Sequence, residues 1–149
     1  MVDTDGNIHC SFVIGKSRLA PLKAITIPRL ELSAAVVFVK LDNMIRRELG
    51  LPIEESIFWS DSTSVIQLIQ NQSKRFQTVA YRLSIIHDGS SPDQRRYVDS
   101  RSNLADDASR GLTAEQLIHN KRWLHGPEFL WKSDECWLAL PCHSTEHAR

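Results

Sequence analysis

The sequence predicts an α/β layer fold. Apolar residues recur at three- and four-residue spacing from Leu30 to Ile45, the mark of a helix with one apolar face. Ser56-Ile57-Phe58-Trp59-Ser60 is a short apolar run between polar neighbours and reads as a buried strand. Two more helical patterns and a weak strand come after it, so strands alternate with helices.

Each element has its own local signal. Asp5-Gly6-Asn7 is a turn signal, and Ile8 to Ile14 is rich in strand formers, the pattern of a hairpin's second arm. Its first arm would precede Met1. Thr26 is a candidate cap and Pro28 an early helical residue. The helix from Leu30 to Leu49 has a stop signal at Gly50, and Pro52 cannot continue it. Asp61 ends the strand. Val65, Ile66, Leu68 and Ile69 define a second helix, and Phe76 to Ile86 a third, with Val79, Leu83 and Ile86 on one side. Pro92 sits in a loop. Arg96-Tyr97-Val98 is the weak strand, and Ala105 to Arg110 a short helix stopped by Gly111. Beyond Leu112 the composition shifts. A helix is expected from Thr113 to about Asn120, then an irregular segment holding Trp123, Phe129, Trp131 and Trp137.

Composition narrows the function classes. The 149 residues suffice for one core. Apolar residues make up 42%, and no window approaches the roughly 20 apolar residues of a membrane span. The N-terminus has acidic Asp3 and Asp5 and no long apolar run, unlike a signal peptide. Cys10, Cys136 and Cys142 are too few and too scattered for a disulfide framework, so a reducing intracellular setting fits, not a secreted one. Eighteen basic residues balance eighteen acidic ones, and net charge is silent about nucleic acid. Lys16, Arg18, Lys23 and Arg29 form one basic stretch, Lys74 and Arg75 a second, and Arg95, Arg96, Arg101 and Arg110 a third; by charge alone these are solvated surface.

Glu31, Asp61 and Asp106 lie in three separate segments, each with apolar neighbours. Glu31 is expected in the first turn of a helix, Asp61 at the C-terminal end of a strand, and Asp106 at the start of a short helix. The carboxyl end of a strand in an open α/β sheet faces the ligand crevice. Carboxylates gathered there suit Mg²⁺ and the cutting of phosphodiesters. Each also has a plain explanation. Glu31 suits the helix dipole; Asp61, Asp106, Asp107 and Asn103 suit helix caps. Cys136, Cys142, His143 and His147 are zinc-type ligands, but their spacing fits no finger and a polar end is the better account. His87 at a helix end is favoured by the dipole. The aromatic cluster is better read as packing than as base stacking.

Several motifs together resemble one family. Lys16-Ser17-Arg18-Leu19-Ala20-Pro21-Leu22-Lys23, Ile27-Pro28-Arg29-Leu30-Glu31-Leu32, Phe58-Trp59-Ser60-Asp61-Ser62 and Asn103-Leu104-Ala105-Asp106-Asp107-Ala108-Ser109-Arg110-Gly111 look like the ribonuclease H region of BEL/Pao-type LTR retrotransposon polyproteins. Gly126-Pro127-Glu128-Phe129-Leu130-Trp131 resembles the segment just C-terminal to that region in the same polyproteins. The likeness covers roughly residues 8 to 138.

The resemblance implies a ribonuclease H-like mixed sheet of five strands in the order 3-2-1-4-5, with flanking helices. It implies two Mg²⁺ or Mn²⁺ ions held by four carboxylates, and hydrolysis of RNA in an RNA–DNA hybrid. By motif, Glu31 is the second carboxylate, Asp61 the third, and Asp106 the fourth, with Asp107 as the alternative. Such a domain reads phosphates and 2′-hydroxyls rather than bases. Lys16, Arg18, Lys74, Arg75 and Arg101 are the candidates for backbone contact. Reverse transcriptase and integrase regions of the same polyprotein are the implied partners.

The family's first carboxylate, on its first strand, has no counterpart in this sequence. Ile8 to Ile14 corresponds to the third strand, so the fold is expected to lack the first two. Strands 4 and 5 would still be adjacent, while Ile8 to Ile14 would have no native neighbour. The expectation is an N-terminally truncated polyprotein fragment, with a partial domain over residues 1–112 and an extension over 113–149. Such a chain is expected not to cut. The alternatives are a non-catalytic binding remnant of the same fold, and an unrelated α/β interaction domain whose acidic residues are caps on separate faces.

Overall fold

The apolar stripe from Leu30 lies within a longer helix, α1 (Ile27–Leu49). In the computed structural model, residues 2, 4–22, 24–71, 77–134 and 137 are described. Helix α1 begins three residues before the stripe because Thr26, in extended conformation, offers its carbonyl to the N–H groups of Arg29 (3.0 Å) and Leu30 (3.2 Å). Pro28 fits there because first-turn N–H groups have no intrahelical partner to lose. Gly50 ends the helix at φ 58°, the left-handed conformation that glycine adopts without steric cost.

The chain then returns along α1. Arg46 fastens that return: Nε donates to Asp42 (3.1 Å), Nη1 to the Ile53 carbonyl (2.9 Å) and Nη2 to Ser56 Oγ (2.6 Å). Ser56 Oγ in turn donates to Asp42. Strand β1 (Phe58–Ser60) comes next, then α2 (Thr63–Gln70) and α3 (Gln77–Gly89). A 3-10 turn (Pro92–Gln94) leads into β2 (Arg95–Tyr97). The two strands run parallel, with Phe58 opposite Arg95, Trp59 opposite Arg96 and Ser60 opposite Tyr97. A parallel pair needs a crossover, and α2 and α3 supply it.

Leu32 and Val39 of α1, Val65 and Ile69 of α2, and Val79 and Ile86 of α3 form one buried cluster, against which Phe58 packs. His87 Nε2 meets the Ile69 carbonyl at 2.9 Å and joins the end of α3 to the end of α2. The last elements are α4 (Leu104–Arg110), α5 (Ala114–His119), α6 (Lys121–His125) and a 3-10 turn (Glu128–Trp131).

Among the described residues the result is a small mixed α/β fold, a two-stranded parallel sheet with flanking helices, far short of a five-stranded ribonuclease H-like sheet. Several expectations need correction. The hairpin turn is present, but Ile8 to Ile14 is not a strand: among the described residues its sheet contact is a single antiparallel bridge between Val2 and Ile8. Val2, inside the chain, thus holds the place expected of the first arm. Strand β1 is half-buried rather than buried, because the sheet is too narrow to cover it. The tail expected to be irregular contains α6 and the 3-10 turn. Phe76 lies outside the described residues.

Candidate functional site

Glu31, Asp61 and Asp106 line one crevice of about 390 Å³. Helix α1 gives it Leu30, Ala34, Ala35 and Phe38 as an apolar wall; β1 gives Phe58, Trp59 and Ser60; α4 closes it with Ala105 and Ser109. Asp107 does not line it. The arrangement with three acids on separate faces is therefore not the one observed.

Two of the plain explanations fall away. Helix α1 begins at Ile27, so Glu31 lies past the first turn, where the dipole acts most strongly. The cap of α2 is Ser62, not Asp61. Asp106 does sit in the first turn of α4 beside Asp107, behind the Asn103 cap, and there the dipole favours both.

Each carboxylate has its own internal partner. Ser62 Oγ donates to Glu31 Oε2 at 2.6 Å, a charge-assisted bond between residues 31 positions apart. The same hydroxyl accepts the Val65 N–H at 3.3 Å and lies 3.2 Å from Ser64 Oγ. Ser100 Oγ donates to Asp61 Oδ2 at 3.1 Å. Arg110 approaches Asp106 at 3.9 Å on a largely exposed surface, a weak pair. Among the described residues, no group of three or more His, Cys, Asp or Glu side chains is arranged to hold an ion.

Arg95 also lines the crevice, and it overturns the surface reading of its basic run. It is only 5% exposed. Its guanidinium lies 4.1 Å from the centre of the Phe58 ring, and Nη2 donates to Ser90 Oγ at 2.6 Å. Nε is buried without a partner among the described residues, and burial pushes the pKa down to about 10. The sequence could have suggested it: in β2, Arg95 points inward and Arg96 outward, the ordinary strand alternation. Ser62 and Ser100 were also missed, although Ser62 has the residue type and the position of a cap.

The basic candidates are dispersed. Lys16 and Arg18 are exposed on an extended arm before α1. Arg101 is exposed in the turn after β2, where Asp99 accepts its backbone N–H at 2.9 Å. Hydrogen bonding from the Ser102 side chain first, and from backbone N–H groups, holds the Asp99 carboxyl below the usual carboxylate range. Lys74, Arg75 and Lys23 lie outside the described residues, as do Asp3, Cys136, Cys142, His143 and His147. No helix among the described residues is long and apolar enough to cross a membrane.

The family model described as Pao retrotransposon-like RNaseH-like domain matches residues 1–62. That stretch carries Glu31, β1 and Asp61, and the match supports homology at the level of the family for those residues. It stops short of Asp106. No curated protein and no solved structure matches the chain.

Proposed function

We propose that residues 1–112 are part of a ribonuclease H-like domain from a BEL/Pao-type retrotransposon polyprotein, with residues 113–149 as an extension. The observation that carries this reading is that Glu31, Asp61 and Asp106, from three separate segments, line one crevice. The family match over residues 1–62 supports it.

In this reading the parent domain hydrolyses RNA in RNA–DNA hybrids with Mg²⁺ or Mn²⁺, inside the cell and beside reverse transcriptase and integrase regions. As proposed, the 149-residue chain binds without cutting; Glu31 and Asp61 are engaged by the Ser62 and Ser100 hydroxyls. Binding remains. Lys16, Arg18 and Arg101 are exposed cations that can meet phosphates.

One experiment separates the parts of this proposal. The purified chain is mixed with a labelled RNA–DNA hybrid in Mg²⁺ or Mn²⁺ over a range of salt. The expected outcome is hybrid binding that weakens as salt rises, without cleavage. Cleavage abolished by Asp61→Asn would establish an active enzyme and overturn the inactivity. No binding at low salt would sink the nucleic-acid reading.

A further inference from the structure

The arm before α1 presents an anomaly. Leu19 is 99% exposed, Leu22 108% and Val13 61%, within a stretch that has neither helix nor strand. The arm is held at one end, where the Phe12 N–H bonds to the Leu124 carbonyl (2.9 Å) and the Phe12 ring meets Trp123 (5.3 Å between centres). At the other end it enters α1. Between these points Lys16 and Arg18 are exposed and have no acidic partner among the described residues.

The crevice is complementary in three respects. Its α1 wall is apolar. Glu31 and Asp61 have hydroxyl partners but no cation among the described residues. Strand β1 pairs with β2 on one side, and its other edge has no strand among the described residues. Such an edge is a template for an added extended segment. We infer that residues 13–22 of one copy seat in the crevice of a second copy, so that the chain self-associates by exchanging arms. Apolar side chains then meet apolar wall, Lys16 and Arg18 meet the carboxylates, and extended backbone meets the edge of β1 that has no strand among the described residues. With eighteen basic and eighteen acidic residues, the chain has no net charge to oppose the encounter. This inference is independent of hydrolysis and competes with hybrid binding for Lys16 and Arg18: a monomer that binds hybrid would overturn it and leave the proposed function standing.

Analytical ultracentrifugation over a concentration series tests it, together with anisotropy of a labelled peptide of residues 13–22. The native chain is expected to dimerise as concentration rises, and less so in high salt. The double variant Leu19→Ser/Leu22→Ser alters only exposed side chains and should weaken dimerisation about tenfold or more. The peptide should bind the native chain, and Ala34→Trp, which fills the crevice wall, should weaken that binding by a similar factor. A monomer at every concentration overturns the inference. So does a dimer indifferent to the leucine variant, or peptide binding indifferent to Ala34→Trp.

Discussion

Arg95 is a buried cation held by one hydroxyl and one aromatic ring. Burial pushes its folded pKa down to about 10, below the ordinary arginine range, so the protonated form is the one that the fold disfavours. The unfolded chain binds more protons between those values, and stability contributed by this group rises with pH across that window. Below about pH 10 the full burden is present. Arg95→Met keeps the length and packing without the charge. It should be neutral or stabilising by up to about 2 kcal/mol at pH 7, with the advantage shrinking above pH 10. Urea midpoints at pH 7 and pH 10.5 check this. A clear loss of stability at pH 7 would show that the Phe58 contact and the Ser90 bond outweigh desolvation. Charge counting placed Arg95 on the surface because composition says nothing about which face of a strand a residue occupies.

Helices α1 and α3 cross at Gly89. A Cβ there would overlap Val39 Cγ1 and lie 3.2 Å from Asn43 Nδ2. Because Val39 is fully buried, it has little room to yield. Gly89→Ala should cost about 1–3 kcal/mol, and Val39→Ala should recover part of that loss in the double variant. A thermal melt of the three variants decides it; additive losses would mean that the crossing is not the cause. Nothing local in the sequence distinguished this glycine from an ordinary helix end, since its reason is a neighbour fifty residues away. Helices with strong stripes were legible: α1, α2 and α3 lie where periodicity placed them, with α1 starting earlier because Thr26 and Pro28 open it. Ile8 to Ile14 was not legible as it stands, because strand propensity forms a strand only where a partner edge is present.

At the scale of the whole molecule, the segment around Phe129 and Trp137 connects β1 with the N-terminal arm. Phe129 packs edge-on against Trp59 (4.9 Å between ring centres), and Trp137 does the same at 5.7 Å. A few residues away, Cys10 Sγ donates to the Leu130 carbonyl at 3.4 Å. Phe129→Ala should therefore loosen β1 and the N-terminal arm together, at roughly 1–3 kcal/mol. In a Cys136→Ser/Cys142→Ser background, Cys10 should react faster with a thiol reagent, and Trp emission should shift to the red. Unchanged Cys10 reactivity would separate the two ends and refute the link. The acidic positions were readable as motifs, but their meeting in one crevice depends on how α1, β1 and α4 pack, which no local pattern specifies.

Ser62 serves two masters with one hydroxyl. It accepts the Val65 N–H at the start of α2 and donates a hydrogen bond to Glu31. Thr113 caps α5 by accepting the Gln116 N–H and has no such second duty among the described residues. Any good capping residue can stand at 113. At 62, aspartate would cap the helix but set a second negative charge against Glu31, and alanine would do neither job. The alphabet tolerated there narrows to short side chains that both accept and donate, serine and threonine first. Position 62 is thus a point where the helix and the crevice can change only together.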